Sequence, residues 1–316
     1  GQVYAIGSGT GKRDKYLDGS LERLDFRFPP VLSGERLYAL AADGRLLCLE
    51  ADSGKRIFPA QGARNGYEEA GISSPAFAAS LSFFSNQQFI IAGAAGGRVV
   101  CLDSEKGSLR WQYDSKGERP VTAAGMQLGK ALVFCAKGGK VFTLREDGQP
   151  DQAIDVEEGG ASCLASDGKD IFAGLEGGSV RAWRTGTKIE PLWKSQEKTA
   201  PVKGLKLGDG RLFIACENRS AYALEASSGK VIWRNAQLPE APGEALVYSP
   251  ARSDSPAAVY LVCGNELVCL NAASGEMLWK KRFECRELAG FALAEGKAAV
   301  AGDDGTIYML AEDHAP

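Results

Sequence analysis

One segment recurs along this chain about every 40 residues, and this repetition constrains the fold more than any other feature. The clearest copies begin at Gly44, Gly97 and Ser220 and combine a short apolar run with a glycine turn. The last large apolar residue of the run aligns eight copies. These anchor residues are Ile6, Leu49, Leu102, Leu144, Trp183, Leu224, Leu270 and Leu310. A repeat of this length indicates one small structural unit that is stacked or closed into a ring.

Each copy is predicted to form four antiparallel strands. Short runs rich in β-branched and aromatic residues are broken by Gly, Asp, Asn and Ser, which is typical of strands and turns rather than helices. The second run, such as 36–40, ends in a tight turn, here Asp43-Gly44. Asp-Gly and Gly-Gly pairs accept the positive φ that two-residue hairpins require.

The third strand of the copies is apolar on both faces, as in residues 46–49 and 267–270. An antiparallel sheet with one wet face shows alternation, so a continuous apolar run indicates burial on both sides. Blades of a propeller are packed in this way between two neighbours. The sequence therefore predicts an all-β chain folded as a β-propeller.

The predicted number of blades is seven. Seven candidate first strands begin near Phe26, Ile72, Pro120, Gly160, Ala200, Gly243 and Glu287. No fourth strand follows Leu310, and no first or second strand precedes residues 2–17. We therefore expect residues 2–6 to pair with 306–310 and close the ring of a single domain over 1–316. Eight blades are the alternative, if residues upstream supply the missing strands.

The pattern Gly-x-(Leu/Val/Tyr)-x-(Ala/Cys)-Leu, followed by a glycine and a tryptophan, resembles the repeat of the PQQ-like, or quinoprotein-like, β-propellers. Gly107 with Trp111, Gly229 with Trp233 and Gly275 with Trp279 fit it well. That family includes quinone-dependent dehydrogenases and the BamB type of propeller that acts in outer-membrane β-barrel assembly. The resemblance implies that the segment from the glycine to the tryptophan docks one blade on the next.

Eight cysteines are present: Cys48, Cys101, Cys135, Cys163, Cys216, Cys263, Cys269 and Cys285. Three of them precede an anchor residue, where other copies have alanine, as at Ala223. A cysteine that exchanges with alanine in a buried strand acts as a small hydrophobic residue. We expect most of the thiols to be free and buried. Whether Cys263 and Cys269 pair is open at this stage.

The residues for catalysis are sparse, and no enzyme activity, cofactor or metal is predicted. The single histidine, His314, lies three residues from the C-terminus, and no two cysteines are adjacent. Acyl-transfer triads need a positioned imidazole. Enzymes of the family that this chain resembles hold their quinone against a disulfide formed by two adjacent cysteines. The resemblance therefore implies no quinone site here, because this sequence has no such pair.

Charge and hydropathy limit the partners. Lys and Arg number 37 against 40 Asp and Glu, for a net charge of −3, and no long basic block occurs, so the charge pattern does not favour binding to nucleic acid. No apolar run reaches the ~18 residues that span a bilayer. The chain starts with Gly1-Gln2, which suits a sequence cut after an export signal, and the family habit favours the periplasm or cell envelope. A cytoplasmic domain of a larger protein is the alternative.

The predicted function is a monomeric, non-enzymatic scaffold that binds an unidentified protein partner, as a cell-envelope or outer-membrane protein assembly factor would. A small-ligand or sensor propeller is the alternative, and a degenerate quinoprotein dehydrogenase is less favoured. Loops on a rigid scaffold often carry binding residues, and the connections 59–71 and 235–243 exceed the others. The candidate interaction residues are Arg64, Tyr67, Glu68 and Glu69.

Overall fold

The structure, a computed structural model, describes residues 4–6, 13–15, 31–40, 46–51, 53, 55–59, 82–84, 88–93, 97–114, 121, 125–136, 139–156, 159–186, 188–253, 255–294, 297–303 and 307–311. The chain forms two compact units, Gly1–Asp155 (unit 1) and Val156–Pro316 (unit 2). All regular elements of the described residues are β-strands. Within this part of the chain, no helix is long and apolar enough to span a bilayer.

Unit 1 contains a two-stranded sheet, β1–β2, and three four-stranded antiparallel sheets, β3–β6, β7–β10 and β11–β14. Its strands are β1 (Tyr4–Ile6), β2 (Arg13–Lys15), β3 (Val31–Ser33), β4 (Arg36–Leu40), β5 (Leu46–Glu50), β6 (Arg56–Phe58), β7 (Ser82–Phe84), β8 (Phe89–Gly93), β9 (Arg98–Asp103), β10 (Leu109–Asp114), β11 (Met126–Leu128), β12 (Ala131–Ala136), β13 (Lys140–Arg145) and β14 (Pro150–Asp155).

Unit 2 contains three more four-stranded sheets, β15–β18, β19–β22 and β23–β26, and a sheet with three described strands, β27–β29. Its strands are β15 (Ala161–Ser166), β16 (Asp170–Leu175), β17 (Val180–Arg184), β18 (Glu190–Lys194), β19 (Val202–Gly208), β20 (Arg211–Cys216), β21 (Ser220–Glu225), β22 (Val231–Asn235), β23 (Pro242–Ser249), β24 (Ala258–Cys263), β25 (Glu266–Asn271), β26 (Met277–Arg282), β27 (Leu288–Ala294), β28 (Lys297–Gly302) and β29 (Ile307–Ala311). We call each sheet of three or four consecutive antiparallel strands a blade, which leaves out the two-stranded sheet β1–β2.

The third strands are buried on both faces, as their apolar runs predict. Four consecutive residues of β5 are buried, and so are the first five of β25. Residues of one strand alternate between its two faces, so both faces of these strands meet apolar neighbours. The fourth strand β10 instead alternates between half-buried and exposed positions, because it is the edge of its blade.

Tryptophans of the fourth strands join consecutive blades within each unit. In three of these tryptophans, the indole N–H donates a hydrogen bond to a backbone carbonyl two residues beyond the anchor residue of the next blade. The bonds run from Trp111 to Glu146 (2.8 Å), from Trp193 to Ala226 (3.0 Å) and from Trp233 to Ala272 (3.0 Å). The predicted docking role of these tryptophans is confirmed.

In several blades, a glycine in the turn after the third strand receives the aromatic ring. Trp193 lies against Gly229 and Trp233 against Gly275, and a Cβ at either glycine would overlap the ring. Both glycines also have positive φ, +71° and +74°, which side chains with a Cβ rarely adopt. Two independent requirements therefore fix glycine at this position of the repeat.

The junction between the first two blades of unit 1 solves the same problem with different residues. Phe58 takes the tryptophan position opposite Cys48 and packs on Gly107, but its ring has no N–H. The Tyr38 hydroxyl instead donates to the Ser104 carbonyl at 2.9 Å. Arg36 also donates to this carbonyl, at 3.2 Å. The acceptor is thus satisfied although the indole is missing.

The N-terminal strand has a partner other than the one expected. Tyr4–Ile6 pairs with Arg13–Lys15 in its own sheet, and Ile307–Ala311 pairs with Lys297–Gly302. The described residues provide seven first strands, as expected from the sequence, and the seventh blade has three described strands. The expected pairing of residues 2–6 with 306–310 therefore does not occur among the described strands. The number of seven blades and the single domain over 1–316 stay predictions.

Candidate functional site

The four candidate interaction residues, Arg64, Tyr67, Glu68 and Glu69, lie outside the described residues. The connection that carries them follows β6, whose Phe58 is buried. The next described strand is β7. The structure therefore fixes where this connection leaves its blade, and the role of its four side chains stays a prediction.

The second long connection, between β22 and β23, is described in full, and we call residues 236–241 the β22–β23 connection. Leu238 at its centre is fully buried in the apolar cluster that holds Trp233 and Leu246. Burial of a leucine side chain stabilises a fold by roughly 1.5–3 kcal/mol. The connection is therefore anchored by its own side chain instead of lying loosely on the surface.

Arg219, in the turn between β20 and β21, holds the same connection through two hydrogen bonds. Its Nε donates to the Leu238 carbonyl at 3.1 Å, and its own carbonyl accepts from the Leu238 N–H at 3.3 Å. Arg219 has a positive φ of 63°, which is costly for a residue with a Cβ. The two bonds help to maintain this backbone conformation.

The start of the connection is tied to the following blade. The Asn235 side chain donates from Nδ2 to the Gly275 carbonyl at 2.8 Å and accepts from the Gln237 N–H at 2.9 Å. Gly275 is also the glycine that receives Trp233. Blade docking and the position of the connection therefore depend on the same turn.

The end of the connection places a carboxylate over the next blade. The Glu240 carboxylate lies so close to Gly264 that a Cβ there would overlap it, and Gly264 has φ +60°. Gln237, Glu240 and Ala241 are exposed. The connection thus presents a polar surface with one negative charge from a fixed backbone, which suits recognition of another molecule.

Cys263 lies beneath Glu240, but its thiol is not a reactive group. Burial, together with the nearby Glu266 and Glu240 carboxylates, raises the pKa of Cys263 to about 12. A thiol is nucleophilic only as the thiolate. This side chain therefore remains a protonated, buried thiol at neutral pH.

The other cysteines follow the same pattern. None of the eight forms a disulfide, which answers the open question about Cys263 and Cys269, and six are buried while Cys163 and Cys285 are half-buried. Burial raises the pKa of Cys101 and Cys163 to about 12 and those of Cys48 and Cys269 to about 11. The prediction of mostly free, buried thiols is confirmed.

The described residues contain no group of three His, Cys, Asp or Glu side chains placed to hold a metal ion. His314 lies outside them. Absence of enzyme activity therefore stays a prediction from the sequence. The arrangement that the structure provides is an anchored connection between two consecutive blades of unit 2, β19–β22 and β23–β26.

Sequence reasoning identified the β22–β23 connection by its length but selected no residue in it. It missed Arg219, Leu238 and Glu240. Leu238-Pro239 is an apolar pair within an otherwise polar stretch, and this contrast is a signal for an anchored loop. Nothing in the sequence pairs Arg219 with Leu238, since each belongs to a different connection.

A family model described as "Outer membrane protein assembly factor BamB" matches residues 2–188 and 176–253. No curated protein matches the sequence. The crystal structure of the computationally designed Ika8 protein is similar, with a TM-score of 0.73 and 16% identity, over 89% of this chain and 82% of that chain.

The crystal structure of BamB from Moraxella catarrhalis is also similar, with a TM-score of 0.58 and 13% identity, over 92% of this chain and 96% of that chain. At these identities the two solved structures show the fold alone. Together with the six four-stranded antiparallel sheets of the described residues, they confirm the all-β propeller class.

Proposed function

Because this chain belongs to the family of the outer membrane protein assembly factor BamB, we propose that it is a non-enzymatic scaffold that binds a protein partner during outer membrane protein assembly. The observation that carries the proposal is the family match, which runs from residue 2 to residue 253. The same match supports a location in the periplasm or cell envelope.

The physical character of the blades supports a scaffold. The indole bonds of Trp111, Trp193 and Trp233 fasten consecutive blades within each unit. Connections on such a framework keep a fixed shape, so less conformational entropy is lost when a partner binds. The protein partner is the part of the proposal that needs direct measurement.

The experiment is capture of partners from a cell-envelope extract by the tagged protein, followed by mass spectrometry. We expect capture of a component of outer membrane protein assembly. Replacing Arg64, Tyr67, Glu68 and Glu69 with alanine should weaken that capture, because Tyr and Arg are frequent anchors of interfaces. The melting temperature should remain almost unchanged, since exposed loop substitutions usually alter stability by less than about 0.5 kcal/mol.

The matched control is the pair Gln237→Ala and Glu240→Ala in the β22–β23 connection. If capture is lost only in this control, the binding site is assigned to the β22–β23 connection and not to the 59–71 connection. Capture undiminished in both variants would exclude both connections as the binding surface. A wild-type bait that retains no assembly component would contradict the proposed function itself.

A further inference from the structure

The outer strands of three consecutive blades in unit 2 present an exposed aliphatic side chain at the same position. Leu192, Ile232 and Leu278 each precede the tryptophan position of the fourth strand. They are 38%, 44% and 44% exposed. Single exposed apolar residues are common on protein surfaces, but recurrence at one register in three neighbouring copies is a pattern.

A cation follows each of these aliphatic residues two positions later. These are Lys194, Arg234 and Lys280, and all three are exposed. Residues two apart on a strand lie on the same face, so each aliphatic group and its cation share one side of the edge strand. We call the six residues Leu192, Lys194, Ile232, Arg234, Leu278 and Lys280 the aliphatic–cationic rim.

Contacts within the blades orient two of the rim cations. The Arg234 guanidinium lies over the Tyr222 ring, 5.6 Å from its centroid. Lys280 and Arg282 share one buried carboxylate, Glu266, at 3.3 Å and 2.9 Å. Two cations on a single carboxylate leave a positive excess at the edge of β26, and the exposed Lys281 adds to it.

The described outer strands β10 and β14 of unit 1 do not carry this pattern. At the positions that correspond to the rim residues, β10 has Arg110 and Gln112, and β14 has Asp151 and Ala153. Neither blade has a large aliphatic residue followed by a cation at these two positions. The aliphatic–cationic rim is therefore a property of unit 2 and not a requirement of the repeat.

We propose that the aliphatic–cationic rim binds the anionic headgroup surface of a lipid bilayer. Cations near an anionic membrane are attracted to its phosphate groups, and aliphatic side chains gain free energy at the headgroup–acyl boundary. Both chemistries are present side by side in each of the three blades. The inference does not rest on the scaffold role, because its residues lie outside both long connections.

The spread of the rim favours a lipid surface over an added peptide strand. Packed sheets lie about 10 Å apart, so the three positions extend across roughly 20 Å, from blade to blade. A peptide strand that pairs with one edge would use only one of the three positions. A bilayer interface is broad enough to meet all of them.

The experiment is sedimentation of the purified protein with vesicles of phosphatidylglycerol and phosphatidylcholine, against vesicles of phosphatidylcholine alone. We expect binding to the anionic vesicles that weakens as salt is raised. The charge variant replaces the three rim cations Lys194, Arg234 and Lys280 with glutamine and keeps Arg282 on Glu266. It should lower the partition coefficient about a hundredfold.

Two matched variants test the chemistry. Lys169, Lys188 and Lys198 are exposed lysines of unit 2 that do not belong to the rim, and their replacement with glutamine removes the same charge. This control should bind more than tenfold better than the charge variant. Replacing Leu192, Ile232 and Leu278 with serine should lower partition about tenfold, with unchanged circular dichroism and melting temperature.

Equal binding to neutral and anionic vesicles, or equal losses in the charge variant and its lysine control, would overturn the proposal. Absence of vesicle binding by the wild type would overturn it as well. In that case a synthetic peptide of alternating glutamate and leucine is the second probe. Binding of this peptide that the charge variant loses would assign the rim to an acidic polypeptide.

Discussion

At the scale of single residues, one blade junction exchanges the roles of two aromatic side chains. Phe213 and Trp233 form the usual pair, with ring centroids 6.1 Å apart, and Trp233 supplies the N–H. Tyr38 and Phe58 occupy the same two positions, 6.2 Å apart, and the tyrosine supplies an O–H. The donor has moved from one ring to the other while the acceptor position is unchanged.

We expect Tyr38→Phe to lower the free energy of unfolding by about 1 kcal/mol, because the Ser104 carbonyl loses a buried donor. The double variant Tyr38→Phe with Phe58→Trp rebuilds the arrangement of the other junctions and should recover most of this loss. Urea denaturation of the three proteins provides the measurement. A double variant no more stable than Tyr38→Phe would show that the hydroxyl is not replaced by the indole.

The sequence predicted the packing role of the tryptophans but not the role of Tyr38. The tryptophans recur at one position of a visible repeat, so their role can be inferred from any copy. The Tyr38 hydroxyl bonds to a carbonyl 66 residues away, and it is a donor only because Phe58 is not a tryptophan. An exception to a repeat becomes interpretable only when the two positions are seen together.

At the scale of elements, the β22–β23 connection depends on Arg219. Replacing Arg219 with glycine removes the bond to the Leu238 carbonyl but relieves the positive φ, whereas alanine removes the bond and keeps the strain. In both variants, the amide hydrogens of residues 236–241 should exchange faster than in the wild-type protein. Arg219→Gly should be the more stable of the two by about 1 kcal/mol.

Hydrogen exchange measured by mass spectrometry on peptides that cover 236–241 provides the readout. Peptides of β20 and β21 serve as an internal control for global loosening. Unchanged exchange in both variants would show that burial of Leu238 alone holds the connection. Equal stability of the glycine and alanine variants would show that the backbone of residue 219 is not strained.

The sequence could place the connections but could not rank them by rigidity. Length identified 59–71 and 235–243, because both exceed the other connections between fourth and first strands. Anchoring depends instead on where Leu238 and Asn235 find partners, in neighbouring blades. Such contacts between different repeats leave no local pattern.

At the scale of the whole molecule, the cysteines link stability to alkaline pH. The folded pKa values of Cys48, Cys101, Cys163, Cys263 and Cys269 lie at about 11 to 12, above the usual value of about 8.5. At a pH between about 8.5 and about 11, these thiols are largely deprotonated in the unfolded chain but still protonated in the folded chain. The stability from these groups is therefore complete below about pH 8.5 and falls as pH rises toward 12.

We expect most of the eight thiols to react slowly with a thiol reagent in the native protein at pH 8, and all eight to react in denaturant. Melting temperatures measured from pH 8 to pH 11 should decrease steadily. A variant with alanine at Cys48, Cys101 and Cys269, the position where other repeats have alanine, should show a smaller decrease. Rapid labelling of most native thiols would contradict this prediction.

The propeller class was predictable from the sequence because residues such as 46–49 are apolar on both faces of a strand. The partner of the N-terminal strand was harder to infer, since the pair is formed by strands with little pattern. Tyr4–Ile6 has three residues, and its partner Arg13–Lys15 is entirely polar. Neither apolar alternation nor a repeat position identifies such a pair in advance.

The contact between a tryptophan and the glycine turn of the next blade also affects how such chains can change in length. Trp193 and Trp233 meet the same features, a glycine with positive φ and a carbonyl three residues before it. A duplicated blade with these features could therefore dock its tryptophan on the next blade and accept the tryptophan of the preceding one. The junction of Tyr38 and Phe58 lacks this interchangeability, because its donor and its ring come from different strands. Gain or loss of a blade is expected to be tolerated at the tryptophan junctions and resisted at that one.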